Sequence, residues 1–136
     1  MNVCVVYFSR TGNTKRLAQA IADMAKVPIF DIASTSPSDI ESFDLLILGT
    51  PVEGSSPAKE TSAFIESMHT VESKKAVLFC TYRIFGNERT MKNMEKHLEN
   101  KGYKTLLHVS KRGMTPGKEA DFSKVLEEVK KTLDKQ

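Results

Sequence analysis

The chain has no tryptophan, only two cysteines and only three histidines among its 136 residues. Cys4 and Cys80 each sit inside an apolar run, Val3–Val6 and Val77–Cys80. Two such thiols build no disulfide framework and pack as small hydrophobes. His69, His97 and His108 are scattered without the spacing of a metal site, which assigns them to the surface or to helix ends. No apolar run approaches the ~20 residues needed to cross a bilayer. The opening residues Met1–Val6 lack the basic region and cleavage site of a secretory signal, so a cytoplasmic location and no membrane contact are expected.

Further absences remove classes of chemistry. No Ser, His and Asp set suggests a hydrolase. Cys4 and Arg10 match the C-x5-R spacing of small tyrosine phosphatases, but a cysteine flanked by valines in mid-strand lies too deep to attack a phosphoester. Gly12-Asn13-Thr14-Lys15 lacks the full spacing of a Walker loop. No carboxylates cluster after the first apolar run, as a receiver domain would require.

What is present is an ordinary globular composition, 40% hydrophobic and 27% charged, sized for one domain over 1–136. Short apolar runs alternate with amphipathic stretches. Val3–Phe8, Pro28–Ile32, Leu45–Leu48, Ala76–Thr81 and Lys104–Val109 read as strands. Lys15–Ala25, Pro57–Met68, Arg89–Lys101 and Glu119–Leu133 carry apolar residues at helical spacing. Ser38–Glu41 reads as a single capped turn, and Gly102 as a helix-ending residue. Strands alternating with helices predict an α/β domain with a parallel sheet covered on both faces.

The first strand runs into Ser9-Arg10-Thr11-Gly12-Asn13-Thr14 and then directly into a helix. Hydroxyls at 9, 11 and 14 frame a glycine that allows a tight turn. The N–H groups and dipole of the following helix favour an anion there, so the segment suits a phosphate monoester. Phe8–Thr14 resembles the phosphate loop of the flavodoxin family, Thr/Ser-x-Thr-Gly-x-Thr, and the five-strand rhythm extends the resemblance over essentially the whole chain. The resemblance implies a flavodoxin-like three-layer sandwich with strand order 2-1-3-4-5. It also implies FMN as cofactor, with Ser9, Arg10, Thr11, Gly12, Asn13 and Thr14 around the phosphate.

By the same resemblance, Thr50, Pro51, Val52, Glu53 and Gly54 flank one side of the flavin ring. Thr81, Tyr82, Phe85 and Gly86 flank the other. The family's electron carriers often stack a tryptophan in the first of these loops, where this chain offers Val52 or Glu53. The reading is a flavin-dependent electron carrier with no catalytic side chain and no metal. A rival reading is a small FMN-dependent NAD(P)H:quinone-type oxidoreductase, and a third is the same fold without flavin.

Charge is unevenly spread. Residues 1–73 hold five Lys/Arg against nine Asp/Glu, residues 74–112 hold ten against three, and the net charge is +3. Basic residues from Arg83 to Arg112 are expected to stabilise a reduced, anionic flavin and to receive redox partner proteins of acidic character. No recognition motif accompanies the charge, so nucleic acid is not an expected partner.

Overall fold

A computed structural model describes all residues from 1 to 136. Five parallel strands form the central sheet: β1 (Val3–Tyr7), β2 (Ile29–Asp31), β3 (Leu45–Glu53), β5 (Lys74–Tyr82) and β6 (Tyr103–Arg112). Their order is β2-β1-β3-β5-β6, the 2-1-3-4-5 order expected for the parallel strands. One further strand, β4 (Ser56–Pro57), pairs antiparallel with the end of β3.

Alternation along the strands builds two cores, because successive side chains point to opposite faces. Cys4, Val6, Leu46, Leu48, Ala76, Leu78 and Cys80 face one way. They pack against Phe64 and Ile65 of α2 (Lys59–Ser67) and Met91, Met94 and Leu98 of α3 (Asn87–Glu99). Val5, Tyr7, Leu45, Ile47, Val77 and Phe79 face the other way. They meet Leu17, Ala18 and Ile21 of α1 (Asn13–Ala25) and Val125 and Val129 of α4 (Ser123–Asp134). The two clusters hold 15 and 13 buried residues, so neither face is left bare and the domain has three layers.

Several boundaries differ from the sequence reading. β3 runs five residues past Leu48: Gly49, Thr50 and Pro51 pair with Phe79, Cys80 and Thr81 of β5, and Val52↔Pro57 and Glu53↔Ser56 then pair across a two-residue turn. Gly54 (φ 59°) and Ser55 (φ 61°) both take the left-handed conformation that such a hairpin turn requires. Pro57 therefore belongs to β4, and α2 begins only at Lys59. The capped turn lies two residues earlier than Ser38–Glu41: Pro37–Asp39 is a short 3-10 helix, and the Ser36 N–H donates to Asp39 Oδ2 at 2.9 Å. α4 starts at Ser123 rather than Glu119, since Asp121 Oδ1 accepts the Ser123 N–H at 2.9 Å. Gly102 takes the left-handed conformation expected after α3 (φ 94°). In β6 the register slips between Thr105 and Leu107, leaving Leu106 as a bulge.

Candidate functional site

Both α1 and α3 begin from a left-handed glycine beyond the carboxyl end of a strand. Gly12 and Gly86 each have φ 97° and act as N-caps. An L side chain rarely adopts that angle, although nothing lies within 4 Å of where a Cβ at Gly12 would sit. At Gly86 the constraint is double, because a Cβ there would lie 2.9 Å from Ser55 Oγ and 3.1 Å from Val52 Cγ1. The turn after β5 is thus pressed against the β3–β4 hairpin.

The first turn of α1 presents donors. The Gly12 N–H is taken by Ser9 Oγ at 3.1 Å, and the Gly12 carbonyl accepts the Arg16 N–H at 3.1 Å. The N–H groups of Arg10, Thr11, Asn13, Thr14 and Lys15 have no acceptor within the chain. Asn13 Nδ2 donates to the Met114 carbonyl at 3.2 Å, while its Oδ1 is buried without a partner. Thr14 lies beneath the loop, buried, its Oγ1 2.7 Å from Thr81 Oγ1. One of these hydroxyls donates to the other, so one proton of the pair remains free for a ligand.

Arg10 is engaged by two carboxylates of the chain itself. Its Nε donates to Glu53 Oε2 at 2.6 Å, and its Nη2 donates to Glu53 Oε1 at 3.0 Å and Glu60 Oε1 at 2.8 Å. The guanidinium also lies 4.9 Å from the centre of the Phe8 ring. The Arg10 hydrogen bond holds the Glu60 carboxyl below its ordinary range, and the two carboxylates keep Arg10 firmly charged. The phosphate loop is thereby tied to the hairpin and to the first turn of α2.

Between these elements lies a cleft of about 390 Å³ at the carboxyl ends of the strands, within the range of small-molecule sites. Of the expected site residues, Arg10, Thr11, Asn13, Pro51, Val52, Glu53, Thr81 and Tyr82 line it. Ser9, Gly12 and Thr14 shape the loop beside it. Thr50 is fully buried below: its Oγ1 accepts the Ala58 N–H at 3.1 Å and the Thr61 hydroxyl at 3.0 Å. Gly54 and Gly86 set backbone turns, and Phe85 is exposed outside the cleft, so Tyr82 is the aromatic that lines it.

Arg83, expected only as part of the basic zone, and Met114, Thr115 and Pro116, not expected at all, also line the cleft. The last three come from the segment after β6. Besides the Asn13 bond, Arg16 Nη1 donates to the Thr115 carbonyl at 3.4 Å and Arg16 Nη2 to that of Lys118. Only the Met-Thr-Pro-Gly turn composition hinted at an exposed segment there, and nothing in the sequence tied it to α1.

The cysteines take no part. Cys4 is fully buried, and burial pushes its thiol up to about 12; burial raises Cys80 to about 11. The C-x5-R coincidence therefore supplies no nucleophile.

This arrangement combines free amides at a helix start, a buried hydroxyl pair and a cleft between two turns. The donor set fits a phosphate monoester, and the adjoining cleft of about 390 Å³ has room for the small molecule that carries it.

Comparison with known proteins agrees. The flavodoxin-domain family profile matches residues 4–135. The flavodoxin of Clostridium beijerinckii is 31% identical over 106 residues, covering 72% of this chain and 76% of that protein. The flavodoxin of Megasphaera elsdenii is 29% identical, covering 72% and 77%. Among solved structures, oxidised Flavodoxin 1 of Bacillus cereus superposes with a TM-score of 0.82 at 20% identity, covering 98% of each chain. The profile match spans nearly every element described above, so the chain belongs to the flavodoxin family.

Proposed function

We propose that this chain binds FMN non-covalently in the cleft beside Thr11 and Asn13 and carries electrons between redox partner proteins. When bound, the flavin supplies the redox chemistry, and the protein supplies grip, orientation and charge. The observation that carries this reading is the set of five N–H groups, from Arg10, Thr11, Asn13, Thr14 and Lys15, left without an acceptor around the start of α1, three of them on residues that line the cleft. Those amides, with the hydroxyls of Ser9, Thr11 and Thr14, would hold the phosphate. Pro51, Val52 and Glu53 would lie along one side of the ring and Thr81 and Tyr82 along the other. Partners of acidic character would meet the basic 83–112 region.

The names of the curated relatives support the reading. The test is uptake of FMN and riboflavin by the purified protein, followed by visible absorption and quenching of flavin fluorescence. FMN is expected to bind at least about tenfold more tightly than riboflavin, since several charge-assisted hydrogen bonds go to the phosphate. Equal affinity for the two, or no quenching by either, would overturn the proposal.

A further inference from the structure

We infer that the tip of the turn after β5, Ile84–Phe85 with the cations around it, is the docking surface for an acidic one-electron redox protein. The inference rests on the flavin reading above and adds where, and by what chemistry, a partner is recognised.

Only three large apolar side chains in the chain are strongly exposed: Met1 at 63%, Ile84 at 65% and Phe85 at 73%. Two of the three are consecutive. The turn divides its residues: Thr81, Tyr82 and Arg83 line the cleft, whereas Ile84 and Phe85 do not. Its far end is fixed, because left-handed Gly86 caps α3 and packs against Ser55 and Val52. The apolar pair is therefore held at the rim of the cofactor cleft without contributing to it. Exposed apolar surface in such a place marks a contact site.

The charge around the pair is one-sided. Arg83, Arg89 and Arg112 are exposed, Lys111 is partly so, and none of the four forms an ion pair. Arg112 stands beside Tyr82 in the register of β5 and β6, and the Gly113 N–H donates to the Tyr82 carbonyl at 2.8 Å, so its strand end adjoins the turn. Glu88 in the first turn of α3 is the carboxylate on the Arg83 and Arg89 side, Glu119 and Asp121 share a groove with Lys111 and Arg112, and Glu53 and Glu60 are engaged by Arg10. An apolar centre ringed by free cations is complementary to an apolar hollow ringed by carboxylates. Electron transfer falls steeply with distance, so a partner seated here reaches the flavin by a short path. A single electron passes between the partner's redox centre and the flavin, and no bond in this chain forms or breaks.

The test is stopped-flow electron transfer between the FMN-loaded protein and an acidic [2Fe–2S] ferredoxin, with basic cytochrome c as the opposite-charge control. With the ferredoxin, the second-order rate is expected to fall at least about tenfold from low to high salt, while the rate with cytochrome c does not fall. The double variant R89E/R112E is expected to abolish the salt effect. I84S is expected to lower the ferredoxin rate several-fold and leave the salt dependence intact. Both variants should keep the wild-type flavin spectrum and FMN affinity. Unchanged ferredoxin rates in both variants, or a salt-suppressed reaction with cytochrome c instead, would overturn the assignment. So would a dimer in sedimentation that I84S dissociates, since a second copy would then own the surface. Failure of the wild-type protein to take up FMN would instead sink the flavin reading itself, and is visible in the same absorption spectrum.

Discussion

Single side chains at this site divide between ligand-facing and load-sharing roles, and the sequence alone does not sort them. Thr50 is the clearest case. The resemblance implied a ring contact for it, yet its Oγ1 accepts from Ala58 and Thr61, both bonds buried, and donates to the partly buried Pro51 carbonyl at 3.0 Å. Thr50→Val keeps the shape but strands the Ala58 N–H and the Thr61 hydroxyl. A loss of about 2–4 kcal/mol is expected, read from the urea unfolding midpoint of the apoprotein. An unaffected midpoint would mean that the hydroxyl is no keystone. Thr14 and Thr81 show the converse. Each was expected from its own loop, but only the fold brings their oxygens to 2.7 Å. Met114 was missed because an isolated methionine carries no local signal, whereas Arg83 was expected only as part of the basic zone.

Among the secondary elements, the informative features are the links between them. Arg10 joins the phosphate loop to the hairpin through Glu53 and to α2 through Glu60. Because its guanidinium is spent on carboxylates, Arg10→Gln should weaken FMN and riboflavin binding by the same factor, about fivefold. Weakening of FMN alone, measured by fluorescence titration of both flavins, would place the guanidinium on the phosphate instead. The pH dependence has a definite sign. The Glu60 carboxyl is depressed in the folded protein, so its share of this link is complete above its unfolded value and is lost as pH falls through the lowered folded one. Flavin affinity should therefore be insensitive to this cluster near neutrality and decline only below about pH 4. A second prediction concerns the end of α1. Lys26 closes that helix in the left-handed conformation (φ 57°, ψ 50°). Lys26→Gly relieves that strain and should raise the melting temperature by a few degrees, corresponding to about 0.5–1 kcal/mol. A lowered melting temperature would show that the lysine side chain contributes more than its backbone costs.

For the molecule as a whole, charge is the property that sets it apart from an acidic electron carrier. Among the charged residues lining the cleft, Arg10 and Glu53 neutralise each other and Arg83 is unpaired. With the flavin bound as proposed, a free cation beside the cleft would favour the fully reduced, anionic form, so the second reduction step should be less reducing than in a carrier whose flavin is ringed by carboxylates. Arg83→Gln should make that step more negative by about 40 mV at low salt, with a smaller shift at high ionic strength. A redox titration in which this substitution leaves the potential unmoved would assign the tuning to other groups.

How far the sequence reached follows from the range of the forces involved. The alternation of apolar runs with helical stripes and the phosphate-loop residues are local patterns, and each determined its feature: five strands and a donor-rich turn before α1. The basic zone is split by the fold, with Arg83 and Arg112 at the carboxyl ends of β5 and β6 and Lys74, Lys75 and Lys104 at their opposite ends. Boundaries slipped where a non-local partner decided them. β3 continues because β5 pairs with it as far as Pro51 and Pro57 and Ser56 then fold back on it, and α4 starts late because Asp121 captures its first amide. The pairing of Arg10 with two carboxylates 43 and 50 residues away, the burial of Thr50 and the approach of Met114 to Asn13 were decided by tertiary structure alone. Periodicity reports which face a side chain takes, but only packing selects which distant polar groups must satisfy one another once water is excluded.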